Sequence, residues 1–113
     1  MQRLKDRPIL EAEITKSIRE YLKFKGIFHY KQWQGLGSLH GISDIIGIMG
    51  GPLYGYIGKY LAIEVKRKGG KLSDKQEQFL NRVRAEGGIG LVCYSVEDLI
   101  VQLRGYGVKE GLK

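Results

Sequence analysis

The chain has 113 residues, 42% hydrophobic content, a net charge of +7 and one cysteine. That length is read as one domain over 1–113 with a modest core, and no apolar run approaches the roughly 20 residues of a membrane-spanning helix. The start carries charges where a signal peptide would need its apolar stretch, so none is expected, and a lone cysteine excludes a disulfide framework or a cysteine zinc cluster.

A reducing cytoplasm is therefore expected. The excess of 19 basic over 12 acidic residues points to an anionic partner, nucleic acid first, with plain solubility as the other reading. Residues 1–7 are polar and expected to fray, with Arg3, Lys5 and Arg7 available to phosphate. Pro8 suits the first turn of a helix. Ile14, Ile18 and Leu22 then recur every four residues, a helical period, until Gly26 stops it. Glu11 and Glu13 fall in the first turns, where carboxylates favour the positive helix end.

Segment 27–33 reads as a strand and 34–41 as a flexible loop with three glycines and His40 near its end. Segment 43–49 reads as a second strand, followed by a Gly-Pro-rich turn around Gly50, Gly51, Pro52 and Gly55. Tyr54, Tyr56 and Ile57 either extend a hairpin or stand out as contacts. A third strand covers 60–67. Ser73 and Gln76 form a capping box opening a helix to about Glu86, with Phe79, Leu80 and Val83 as its stripe. After Gly87 and Gly88 a fourth strand, 89–94, carries Cys93, read as an inert core thiol. Ser95 caps a last helix through Val96, Leu99, Ile100 and Leu103. The order α-β-β-β-α-β-α predicts an α/β fold whose mixed sheet is flanked by helices. Its third and fourth strands run parallel through a right-handed crossover, and the earlier strands form a hairpin.

The third strand holds the chemistry. Side chains alternate along a strand, so Glu64 and Lys66 share one face with Cα atoms about 6–7 Å apart, while Leu61, Ile63 and Val65 take the other. The pair is either a plain salt bridge or a metal-binding carboxylate beside a lysine aimed at the same reacting atom. Asp44 opens the second strand, either to cap the loop or to meet Glu64 across a hairpin. Two close carboxylates repel, and a divalent cation relieves them; an all-oxygen set suits Mg²⁺ or Mn²⁺. Lys66 then stands where it can position water or stabilise transition-state charge.

With Gly41-Ile42-Ser43-Asp44, Ile63-Glu64-Val65-Lys66 and Leu72-Ser73-Asp74-Lys75-Gln76 in place, the chain resembles the PD-(D/E)xK nuclease superfamily. Its pattern is most similar to the VRR-NUC family in its small stand-alone form, over roughly residues 11–100. The resemblance implies an αβββαβ core and a metal-dependent phosphodiesterase site. Asp44 and Glu64 would hold the metal, Lys66 would act on the attacking water, and Gln76 would support the site if it does more than close its capping box. Glu11 aligns best with the family's first-helix glutamate, with Glu13 as the alternative. Ser43 stands where the family has proline, and Lys31 matches a basic residue expected near the end of the first strand. Arg67, Lys68 and Lys71 make a patch for phosphate. His40 is either an idle loop histidine or a DNA contact; Trp33 and Tyr30 belong to a core or an interface.

The expected function is a Mg²⁺- or Mn²⁺-dependent DNA endonuclease. Without a separate sequence-reading domain, specificity should follow DNA shape, which favours branched DNA such as four-way junctions. A twofold junction is matched by a twofold homodimer. Trp33, Leu36, Leu39, Leu53, Tyr54, Tyr56 and Ile57 offer apolar material for its interface, unless the loops fold inward. The alternatives are a flap- or nick-type single-strand cutter, a non-catalytic nucleic-acid-binding module, and a subunit recruited into a larger machine. A phage setting is implied by the stand-alone form.

Overall fold

The computed structural model describes residues 9–51 and 55–108. The expectations for residues 1–7, for Pro8, for Leu53 and Tyr54, and for the Tyr56 side chain lie outside the described residues. Helix α1 spans Glu11–Phe24, and its buried stripe is the one the period predicts: Ile14, Ile18 and Leu22. It starts at Glu11 because Leu10 is the cap residue, whose N–H donates to Glu13 Oε1 at 3.2 Å. It ends in a Schellman motif: Gly26 N–H donates to Lys23 O, and Ile27 N–H donates to Leu22 O. Gly26 adopts φ +73° there, a conformation that costs a residue with a Cβ.

Four strands follow as one sheet in the order β1-β2-β3-β4: β1 Phe28–Lys31, β2 Ile45–Gly51, β3 Gly55–Val65 and β4 Ile89–Cys93. β1 pairs antiparallel with β2, β2 antiparallel with β3, and β3 parallel with β4, so the sheet is mixed as expected. Helix α2 (Asp74–Ala85) connects the parallel pair, and α3 (Val96–Arg104) follows β4. β3 starts five residues earlier than its apolar run suggests. Its glycine-rich first half pairs through Gly51 and Gly55, with a register shift between Met49 and Gly51. β1 is shorter than the predicted 27–33, and Gln32 N–H bonds the Asp44 carbonyl beyond its end at 2.8 Å.

The helices cover both faces of the sheet. On one face α1 and α3 bury Leu61, Ile63 and Val65 among Ile18, Leu22, Leu99 and Leu103. On the other, α2 packs Leu80 and Val83 on Ile46 and Ala62. β3 is thus buried on both sides, and Glu64 is buried with it. Burial, with Asp98 nearby, pushes the Cys93 thiol up to about 12, which leaves it an inert core group. No helix among the described residues is long and apolar enough to cross a membrane.

The loop before β2 is more constrained than its glycines suggest. Gln34 Nε2 donates to the Ile42 carbonyl at 2.7 Å, Ser38 N–H and Oγ both donate to the Gly35 carbonyl, and Ile42 N–H donates to Leu39 O. Gly41 sits at φ +77°, and a Cβ there would overlap the Lys75 carbonyl in the first turn of α2. The backbone leading to Asp44 therefore rests directly on the helix that carries Gln76. Gly41→Ala should lower unfolding free energy by roughly 2–4 kcal/mol, from left-handed strain plus a backbone collision. The urea midpoint reads this, and an unchanged midpoint would mean that the loop is not seated on α2.

Candidate functional site

Antiparallel pairing of Ile45 with Ile63 places the start of β2 beside the end of β3. Asp44, one residue before β2, and Glu64, one residue before the end of β3, therefore meet at the same sheet end. The N-terminus of α2 reaches that end as well. Asp44 continues the ladder with its side chain: Val65 N–H donates to Asp44 Oδ2 at 2.7 Å. The loop-cap reading is thus too small for this residue, whose carboxylate bridges two strands as they part.

Glu64 is 2% exposed. Its Oε2 accepts from Gln76 Nε2 at 3.2 Å and lies 3.9 Å from Lys66 Nζ, the outer limit of an ion pair. Its Oε1 is buried with no hydrogen-bond partner among the described residues. Gln76 closes its capping box and also contacts Glu64. Its Oε1 accepts from Ser73 N–H at 2.9 Å, its own N–H donates to Ser73 Oγ at 3.1 Å, and its amide NH₂ reaches Glu64. Lys66 lies just past β3, yet its N–H still donates to the Cys93 carbonyl at 3.0 Å. The parallel ladder therefore fixes its backbone.

Burial first, then the neighbouring Asp44 carboxyl, raises the Glu64 carboxyl from its usual 4.5 to about 9; Lys66 opposes the rise and Glu11 adds to it. A buried carboxyl, a second carboxylate and a half-buried lysine are thus gathered at one point. An oxygen-only pair with an unpartnered buried oxygen fits a hard divalent cation that keeps several of its own waters. Among the described residues, however, no three Asp, Glu, His or Cys side chains are grouped tightly enough to hold a metal between them. Asp44 and Glu64 come together, while Glu11 acts on Glu64 through its charge. Glu13 is occupied at the helix start, on the Leu10 N–H.

The predicted basic residues surround this end. Lys31 is exposed at the end of β1, paired with Ile45, and Arg67, Lys68 and Lys71 are exposed between β3 and α2. His40 is exposed beside Gly41 and Gln76, in a shallow pocket of about 370 Å³. Trp33 and Tyr30 are 62% and 47% exposed, so neither is a core residue. Two features escaped the sequence reading. One is the seat of Gly41 on α2; its spacing before Asp44 was visible, but not the surface it meets. The other is Ser43, fully buried, its Oγ without a hydrogen-bond partner among the described residues, at the position where the resemblance puts proline.

Comparisons with known proteins bear on the family and the fold. The VRR-NUC domain model matches residues 3–97. A solved structure described as "VRR_NUC domain protein" superimposes with a TM-score of 0.68 at 19% identity, covering 94% of this chain and 97% of that one; at that identity the likeness speaks for the fold. No curated protein matches the chain. With most of its length matched by that one model, the chain belongs to the VRR-NUC domain family, and its fold is of the nuclease type.

Proposed function

We propose that this protein is a divalent-metal-dependent endodeoxyribonuclease acting on branched DNA, four-way junctions foremost, in the cytoplasm and as a homodimer. The observation that carries the reading is the buried Glu64 carboxyl, facing Asp44 with one oxygen unpartnered among the described residues and Lys66 alongside. Asp44 and Glu64 are the residues to hold Mg²⁺ or Mn²⁺, with Glu11 adding negative charge from α1. When bound, the cation supplies charge to offset the two carboxylates and Lewis acidity toward a phosphodiester oxygen.

The chain's own groups do the rest. Lys66 Nζ holds the attacking water and offsets charge gathering on the phosphate. Water oxygen bonds to phosphorus as the bond to the 3′ oxygen breaks; the water's proton passes to solvent and the departing 3′ oxygen takes one up, leaving a 5′-phosphate and a 3′-hydroxyl. Gln76 keeps Glu64 turned toward Asp44 while closing its own helix cap. Arg67, Lys68 and Lys71 meet flanking phosphates, with His40 beside the first turn of α2 and Lys31 at the end of β1.

Two cuts on opposite strands of a junction need two sites, which a homodimer provides. Exposed apolar side chains support the pairing: Leu36 is 98% exposed, Ile57 83%, and Trp33 and Leu39 more than 60% each. Among the described residues these side chains do not fold into the core. Phe28 and Tyr30 add a second apolar surface on β1, their rings edge to face at 6.3 Å. Apolar side chains collected on a surface are interface material.

Of labelled duplex, flap and four-way junction DNA, the four-way junction should be cut fastest and plain duplex slowest with Mg²⁺ or Mn²⁺, and all three should stay intact in EDTA. Asp44→Asn, Glu64→Gln and Lys66→Met should each abolish cutting. Gln76→Ala should slow it by roughly tenfold to a hundredfold. Gln76→Glu keeps the capping box but sets another carboxylate against Glu64, so it should cut no faster than Gln76→Ala. A folded Asp44→Asn protein cutting at the normal rate would remove the metal assignment, and an inactive wild type that still binds DNA would leave a binding module.

The metal-free protein carries a second expectation. Folded Glu64 keeps its proton up to about 9, whereas the unfolded group releases it near 4.5. Between those values the folded state binds more protons, so the Glu64 contribution to stability declines as pH rises through that window. The melting temperature of Glu64→Gln, measured against wild type in EDTA, should therefore gain on wild type from pH 5 to pH 8. Added Mg²⁺ should raise wild type at pH 8 and leave the variant unmoved. A difference that is flat with pH would contradict the buried, proton-holding Glu64.

A further inference from the structure

A groove of about 710 Å³ runs between α1 and the edge strand β1. Its rim carries Lys16, Arg19 and Lys23 from the helix and Lys31 from the strand, with Glu20 as the one acid. All four cations are exposed. The helix explains the row: positions i, i+3 and i+7 share one face, separate from the Ile14, Ile18 and Leu22 stripe buried on the sheet. The strand explains the other wall. His29 and Lys31 alternate with Phe28 and Tyr30, so they point to the α1 side. His29 Nδ1 lies 3.0 Å from the Ile27 carbonyl oxygen, which fixes the ring in the wall.

The groove starts at the candidate site and leads away from it. Its near end is Ala12 and Lys31: Ala12 follows Glu11, and Lys31 pairs with Ile45, the neighbour of Asp44. Its far end is Lys23 and Gly26. From Ala12 to Lys23 the helix rises about 16 Å, the axial length of about five nucleotides of one strand. Arg67, Lys68 and Lys71 lie on the other side of the site, on the way to α2. The two carboxylates therefore sit between two basic tracks approached from opposite faces of the sheet.

We propose that the α1–β1 groove binds the phosphate backbone of a DNA arm continuing from the cut site, with Lys16, Arg19, Lys23 and Lys31 as its phosphate contacts. This rests on the nuclease reading above and adds to it a second track that the residues after β3 do not supply. An edge strand also invites a peptide, but four exposed cations against one acid select a polyanion.

The test is the salt dependence of binding to a labelled four-way junction in EDTA, where no cutting occurs. Arg19→Gln/Lys23→Gln removes the two cations furthest from the site. The slope of log affinity against log salt should become shallower by about 1.8 for two lost phosphate contacts. Lys16→Gln alone should change it by about 0.9, an independent reading should the double variant fold poorly. Lys59→Gln/Arg82→Gln removes equal charge away from both tracks and should change the slope far less. If the groove variants keep the wild-type slope, or match the control, the groove is not the DNA path, while wild-type cutting still stands for the nuclease. Wild-type protein with no salt-dependent DNA binding would overturn both.

Discussion

Two carboxylates held against each other at the point where β2 and β3 part set the terms for the whole structure. Coulomb repulsion and desolvation both work against a buried Glu64 beside Asp44, and the fold answers with proton retention, the Gln76 amide and a distant Lys66. A chain does not keep such an arrangement for stability alone, since an apolar pair would pack there at lower cost. The surrounding core holds the two side chains together regardless. β3 is buried on both faces, and the α1–α3 layer and α2 clamp it from opposite sides.

The constraint spreads outward through named contacts. Val65 N–H pins Asp44, Gln76 pins Glu64, and Lys66 is fixed by the β3–β4 ladder. Gln76 is pinned in turn by Ser73, and the loop before Asp44 rests through Gly41 on the same turn of α2. One helix N-terminus thus sets both carboxylates at once. A site of this kind is preorganised: its geometry is held by groups that have other structural duties.

Much of this was legible in the sequence because it is local. The α1 stripe has a helical period, the Ser73–Gln76 box has its own spacing, and strand alternation puts Leu61, Ile63 and Val65 opposite Glu64. The nearness of Asp44 and Glu64 followed from assuming a hairpin, and the Ile45–Ile63 pairing bears that assumption out. What stayed hidden depends on distant surfaces. The contact of Gln76 with Glu64 needs the first turn of α2 to come back over the end of β3. The early start of β3 was masked by glycines, which carry no strand signal of their own. The row Lys16, Arg19 and Lys23 has a helical spacing as regular as the apolar stripe. Its meaning, though, depends on β1 forming the opposite wall.

The central claim is that the Asp44–Glu64 pair is a divalent-cation site. Crystals soaked in Mn²⁺ test it most directly, through the anomalous signal of the ion. The account predicts a peak between the Asp44 and Glu64 carboxylates, with oxygens at about 2.0–2.2 Å, and loss of that peak in Glu64→Gln. Manganese bound elsewhere on the chain, with these two carboxylates free of it, would contradict the account.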